Sequence, residues 1–340
     1  EQTSIAVLPF VNMSTDADNE FFSDGISEEI LNVLASIPDL KVAARTSAFA
    51  YKGTNIKISE IAKELGVNHI LEGSVRTAGN QVLALTGAQR AQGIYTASGG
   101  NLGIATAFLA REHGLQATVL VPDDLPAAKL AMLEALGAEV LRLAFADWWQ
   151  VVLQRGLPGR AETYIDADGP GALAGAATLG LEIHEQLPDA DAVLAAWGGG
   201  ALACGLASVI KAARPRAKMI ACELETAQPL TAALAAGAPV EVPYTGSFVS
   251  GMGSTEVLPS VWPLARELID TTAVVSLKAV CDAIRIVLDT NGVVAEGAGA
   301  VPVAAALAGQ GGKGKLVCVV SGGNLGDQAL ASIKAGTIPD

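Results

Sequence analysis

The sequence predicts an α/β protein: an open, twisted parallel sheet with flanking helices, preceded by a small α/β module. Three observations carry that reading. From Ile94 onward, short apolar runs alternate with longer segments of helical period. The hexapeptide Ser-Gly-Gly-Asn-Leu-Gly occurs twice, at Ser98–Gly103 and Ser321–Gly326, each time after such a run. Finally, 51% of the 340 residues are hydrophobic but only 4% are aromatic. An Ala- and Gly-rich chain of that kind suits helices packed closely on a sheet.

At the N-terminus, Ile5–Phe10 reads as a strand and Glu20–Ile37 as an amphipathic helix, with Phe21, Ile26, Ile30, Leu31, Val33 and Leu34 available to a core. Lys41–Ala44 follows as a strand, and Ile58–Leu65 as a short helix closed by Gly66. His69–Arg76 and Gln81–Leu85 then read as a hairpin turning at Thr77–Asn80. Residues 1–85 thus form one unit with no phosphate loop.

Beyond it, strand Ile94–Ala97, helix Leu102–Glu112, strand Ala117–Val121, helix Ala127–Leu136 and strand Val140–Leu143 succeed one another. Later come strand Ala192–Ala196, helix Ala201–Ala212, strand Met219–Cys222, helices Leu277–Thr290 and Gly297–Ala308, and strand Leu316–Val320. Strands separated by helices mean crossover connections and a parallel sheet.

A net charge of −13 argues against nucleic acid, which needs a basic face. Cys204, Cys222, Cys281 and Cys318 lie in apolar stretches without metal-ligand spacing, so buried free thiols in a reducing compartment are expected. His69, His113 and His184 are scattered, and a structural role is expected for each; His113, in a last helical turn, suits the helix dipole as a cation. Ala192–Ile210 is an uncharged run, but Trp197-Gly198-Gly199-Gly200 would break a spanning helix. No secretory signal precedes Glu1, so the expectation is a cytoplasmic protein that does not enter a membrane.

Three strand-to-helix loops can hold an anion or a flat polar ligand. In Gly198-Gly199-Gly200-Ala201, successive amides with a helix N-terminus behind them form an anion cradle. It lacks the Lys-Ser/Thr of a nucleotide loop. Asn101 supplies a donor and an acceptor at the second loop, and Ser321 a hydroxyl at the third.

Two families are recognisable in these residues. Ile5–Phe10, Phe22–Ser27, Ser47–Gly53, Leu71–Arg76 and Ala78–Asn80 resemble the TolB-type N-terminal module, which implies an interaction or sensor role. Residues 86–333, within a domain expected over 86–340, resemble the fold-type II pyridoxal 5′-phosphate enzymes, of tryptophan synthase beta-like fold, in their serine/threonine dehydratase branch. That likeness runs through Thr96–Asn101, Ala127–Lys129, Leu136–Ala138, Trp148-Trp149, Gly198–Gly205 and Val249–Gly253. It continues in Leu258-Pro259, Trp262-Pro263, Glu296–Ala300 and Ser321–Asn324. The chain therefore reads as a bacterial chimera of the two.

The second resemblance implies that Gly198, Gly199, Gly200 and Ala201 bind the cofactor phosphate, Asn101 the ring hydroxyl and Ser321 the pyridine nitrogen. It implies that Ser98, Gly99 and Gly100 receive the carboxylate of a small amino-acid-like substrate, and that the protein is a homo-oligomer. Some relatives hold a divalent cation at the position of Glu223, but Pro229 stands where they place a further acid. The Schiff-base lysine of the family falls at Arg76, in Gly73-Ser74-Val75-Arg76, and a guanidinium does not form an imine. Lys52 is the nearest conceivable substitute upstream.

Three functions follow. The first is a serine/threonine-type ammonia lyase working by β-elimination, impaired if no lysine serves. The second is a non-catalytic binder of the cofactor or another phosphate ligand. The third is a hydrolase using Ser98, Ser250 or Ser321 with His184 or His69.

Overall fold

The computed structural model describes residues 4–7, 41–42, 69–71, 75–123, 125 and 127–339, with only the backbone described before residue 78 and at Ala128. It divides into two compact units, residues 1–73 with 284–295, and residues 74–283 with 296–340. In the first, β1 (Ser4–Val7), β2 (Lys41–Val42) and β3 (His69–Leu71) form a parallel sheet in the order β2-β1-β3. The helices expected at Glu20–Ile37 and Ile58–Leu65 lie outside the described residues.

The second unit opens with helices α1 (Val75–Leu83) and α2 (Gly87–Gln92). The hairpin expected across residues 77–80 is not there: β3 ends at Leu71 and residues 75–83 are helical. Ala78, Val82 and Leu85 are buried, and that spacing is helical. Packing of this stripe against neighbouring helices overrides the turn propensity of Ala78-Gly79-Asn80. Gly79 tolerates the interior of a helix because its Cβ position is open space.

Strands β4 (Ile94–Ala97), β5 (Ala117–Pro122), β6 (Glu139–Leu143) and β7 (Thr163–Tyr164) form one parallel sheet in the order β6-β5-β4-β7. Between them run α3 (Asn101–Glu112), α4 (Ala127–Ala135) and α5 (Phe145–Gln154). After α6 (Pro170–Gln186) a second sheet begins. It contains β8 (Ala192–Ala196), β9 (Lys218–Leu224), β10 (Thr271–Val275) and β11 (Leu316–Cys318), in the order β10-β9-β8-β11. Its helices are α7 (Ala201–Ala213), α8 (Pro229–Ala236), α9 (Trp262–Leu268), α10 (Leu277–Asn291), α11 (Gly297–Leu307) and α12 (Asp327–Lys334).

The central strands β4 and β8 are buried along their whole length, as parallel strands covered on both faces must be. The edge strands β6 and β10 alternate or lie exposed. Among the described residues no helix is long and apolar enough to cross a membrane, and Ala192–Ile210 resolves into β8, the glycine loop and α7.

Helices α6 and α7 pack closely because Gly205 has no side chain: a Cβ there would stand 2.6 Å from the Leu173 carbonyl oxygen and 2.7 Å from Ala176 Cβ. Gly205→Ala is therefore expected to lower stability by about 1–3 kcal/mol. Gly79→Ala, in open space within α1, should raise it by about 0.5–1 kcal/mol. Urea denaturation midpoints of the two variants should move in opposite directions.

Candidate active site

Both sheets have the same order of strands. In each, the first strand (β4 or β8) is followed outward by the next two, and the last strand (β7 or β11) lies on its other side. The reversal creates a crevice at the carboxyl ends of β4 and β8, where ligands bind in open α/β sheets. The loops after β4, β8 and β11 are Ser98–Gly100, Trp197–Gly200 and the segment from Val319 to Gly326. All three sequence-predicted loops thus stand at strand ends of this kind.

The cradle loop is shaped by what its glycines must avoid. A Cβ on Gly198 would overlap the Gly251 carbonyl oxygen. Gly200, the N-cap of α7, has φ +89° and would strike the Trp197 ring at 2.7 Å. A Cβ on Gly199 would meet only Leu258 Cδ1, at 3.6 Å. No side chain caps α7, so the first amides of the helix have no intrahelical acceptor. The indole N–H of Trp197, whose ring packs in the core, is buried without a hydrogen-bond partner among the described residues. Donors concentrated at a helix N-terminus match an anionic ester.

The first repeat starts with Ser98, whose Oγ accepts the Gly100 N–H at 3.3 Å, and its Gly103 lies against the Ser98 carbonyl, where no Cβ fits. Asn101 opens α3. Its Nδ2 donates to Glu296 Oε1 at 3.1 Å, and its Oδ1 accepts from Asn324 Nδ2 at 3.4 Å. The Asn of one hexapeptide is thus hydrogen-bonded to the Asn of the other. Glu296, 8% exposed, caps α11. Its N–H donates to the Gly322 carbonyl at 2.9 Å, and a Cβ on Gly322 would overlap its carboxylate. Gly299 likewise lets the Ser321–Gly322 backbone approach α11.

Lys129 of α4 completes the cluster, with Nζ donating to Ser250 Oγ at 2.9 Å. Burial pushes its pKa down, and the charge of Glu296 partly opposes that. Burial also pushes the Glu296 carboxyl up, against the hydrogen bond from Asn101 and the Lys129 charge.

Sequence reasoning names Asn101 but gives no site role to Glu296, Asn324, Ser250 or Lys129 in cofactor binding. The signal for Asn324 is available in the repeat itself. Arg76 is the second residue of α1, with its side chain outside the described residues, as is Lys52.

Glu223 belongs elsewhere. It is 1% exposed and caps α8, accepting the Leu230 N–H at 2.7 Å, the Thr231 N–H at 2.9 Å and the Thr231 hydroxyl at 2.6 Å. Both carboxylate oxygens thus serve the start of α8, and among the described residues there is no cluster of three or more acids, His and Cys that could hold a metal. Nor is His113 the expected cation: burial, and after it the nearby Arg90, push its pKa down. The described hydrogen-bond partners of Ser98 and Ser250 are Gly100 and Lys129, and the side chain of His69 lies outside the described residues. None of the four cysteines forms a disulfide, and burial raises the Cys204 thiol to about 12.

Parallel sheets with glycine loops at their carboxyl ends define an open α/β fold of the kind that binds ligands at its strand ends. Residues 55–322 match the family described as Pyridoxal-phosphate dependent enzyme, and the chain belongs to that family. The match begins at residue 55, inside the segment that the sequence reading assigns to the N-terminal module. An L-threonine ammonia-lyase of Thermotoga maritima is 31% identical over 305 residues, covering 86% of this chain and 76% of that protein. Among solved structures, a threonine deaminase from T.th. is similar, with a TM-score of 0.67 and 31% identity over 74% of this chain and 82% of that one. Maize serine racemase gives a TM-score of 0.69 at 27% identity, over 77% of this chain and 82% of that one.

Glu296 and Glu223 both have raised folded-state pKa values, so each stabilises the fold fully below the ordinary glutamate range, roughly pH 4. That contribution is lost as pH rises through the raised value. Urea midpoints measured from pH 4 toward neutrality should therefore carry a downward component, and Glu296→Gln should remove the share due to Glu296.

Proposed function

We propose that the protein is a pyridoxal-phosphate-dependent ammonia lyase acting on a small hydroxy amino acid of the threonine or serine type. The observation that carries this is the joining of the two repeated Asn loops within the same unit that holds the glycine cradle. The donor set fits the cofactor. Amides of Gly198, Gly199, Gly200 and Ala201 would hold its phosphate, and the second N–H of Asn101 Nδ2, beyond the one given to Glu296, would meet the ring hydroxyl. The Ser321 hydroxyl would face the pyridine nitrogen; being neutral, it leaves that nitrogen unprotonated, which suits β-elimination. Ser98, Gly99 and Gly100, leading into the N-terminus of α3, would orient the substrate carboxylate.

The bound cofactor supplies an electron sink for the bond broken at the substrate Cα. Glu296 fixes the Asn101 amide through its hydrogen bond, so the ring-hydroxyl donor is set before ligand arrives. The support from relatives is the Thermotoga maritima ammonia-lyase and the T.th. deaminase, both above 30% identity. We place the protein in the cytoplasm as a homo-oligomer, with residues 1–85 as a TolB-type interaction module.

A second reading is favoured by Arg76, which stands where the family places its imine-forming lysine. In that case the chain binds the cofactor without turnover. The experiment is to measure pyridoxal phosphate binding by equilibrium dialysis and keto-acid formation from L-threonine and L-serine. Binding with product supports the lyase, binding without product supports the second reading, and no binding sinks both. Gly199→Val should fold as the parent does, because only Leu258 stands near, yet weaken binding by filling the cradle. Unchanged affinity in that variant would place the phosphate elsewhere.

A further inference from the structure

We infer that Lys129 is the amine that takes the cofactor aldehyde in this chain, in place of a lysine at position 76; this rests on reading the pocket as a pyridoxal phosphate site. The argument is one of placement. Ser250, which accepts the Lys129 Nζ at 2.9 Å, lies between Val249 and Gly251. Val249 packs on the start of α11, since a Cβ on Gly297 would meet its Cγ2 at 2.7 Å. On the other side, the Gly251 carbonyl fills the space beside Gly198. The loop therefore runs from the residue after Glu296 to the first glycine of the cradle, and Lys129 is tied to its middle. Ser250, which holds that amine, thus stands in the chain between Val249, packed on Gly297 next to Glu296, and Gly251, whose carbonyl lies beside Gly198, and the Glu296 charge acts on the amine.

The other described lysines are placed differently. Lys211, Lys278 and Lys315 are paired with Asp270, Asp282 and Asp189, and Lys218, Lys313 and Lys334 are exposed. The described hydrogen bond of Lys129 goes to a neutral hydroxyl, and burial enlarges its neutral fraction. The reaction needs no further reagent. The ammonium gives its proton to solvent, the nitrogen lone pair attacks the aldehyde carbon, and the aldehyde oxygen leaves as water, exchanging the C=O bond for C=N. Arg76 cannot do this, because its guanidinium stays protonated.

The test uses the full chain incubated with pyridoxal phosphate, reduced with borohydride, digested and mapped by mass spectrometry. The expected result is a reduced pyridoxyl adduct on the peptide containing Lys129. In both Lys129→Arg and Lys129→Gln the adduct and the imine absorption band should be lost. Dialysis should still show cofactor bound in those variants and displaced by inorganic phosphate. An adduct on Lys52, Lys57, Lys63 or any other lysine overturns the inference, as does an adduct retained in the variants. Cofactor bound to the parent chain without any adduct also overturns it, while leaving the pocket reading in place. Absence of binding to the parent overturns the pocket reading and this inference together.

Discussion

The hydrogen bond between Asn101 and Glu296 is the constraint around which the second unit is arranged. It joins the helix that follows β4 to the helix that precedes β11, so it sets the geometry of the crevice. The bond exists only because Gly322 yields the space that the Glu296 carboxylate occupies, and Gly299 lets the same backbone come close to α11. A buried carboxylate without such a donor would carry an uncompensated desolvation cost of roughly several kcal/mol. Asn101 discharges part of it, and the Lys129 charge another part. Burial, charge and loop shape are therefore one problem with one solution.

The repeated hexapeptide does not follow from the repeated strand order, since one copy follows β4, the first strand of its sheet, and the other β11, the last strand of its own. Each sheet reverses direction beside its first strand, and the two Asn loops stand at carboxyl ends next to those reversals. An Asn whose amide both donates and accepts is suited to that place. Through Asn101, one side chain reaches Glu296 with its nitrogen and Asn324 with its oxygen. The two copies are thus partners across a crevice rather than parallel devices.

Much of this is legible in the sequence where burial is complete. β4, β5 and β8 are continuous apolar runs, and the sequence marks them with nearly their observed bounds. β7, two residues long, and β10, beginning Thr271-Thr272 at a sheet edge, carry no such signal and escape a sequence reading. α1 reads as a hairpin because Ala78-Gly79-Asn80 is turn-like locally, while the burial of Ala78 and Val82 that decides the matter is a tertiary fact. In the site, glycines and Asn101 announce themselves by type. Glu296 does not, because an acid at the start of a helix is ordinary on electrostatic grounds alone. Lys129 looks like any helical surface lysine until the loop carrying Ser250 is brought against it. Glu223 shows the converse: nothing in the sequence tells that its carboxylate accepts the first amides of α8.

The glycine cradle also shows why a binding motif outlasts a catalytic one. Gly198 is required by the Gly251 carbonyl, and Gly200 by its left-handed backbone and the Trp197 ring. Either would be retained for packing in a chain that never met a ligand, so neither is evidence of function by itself. Gly199 is different. Its Cβ direction is open apart from Leu258, and its backbone is not among those with positive φ, so the fold exerts no comparable demand for glycine there. Gly199 is therefore the position at which packing makes no demand for glycine and a ligand in the proposed cradle would. In the proposed reading the phosphate is held by backbone amides, so a lysine would bear on neither the packing nor the cradle. Arg76 at the place of the lysine would then leave the pocket intact and move the question of catalysis to whichever amine the fold brings to it.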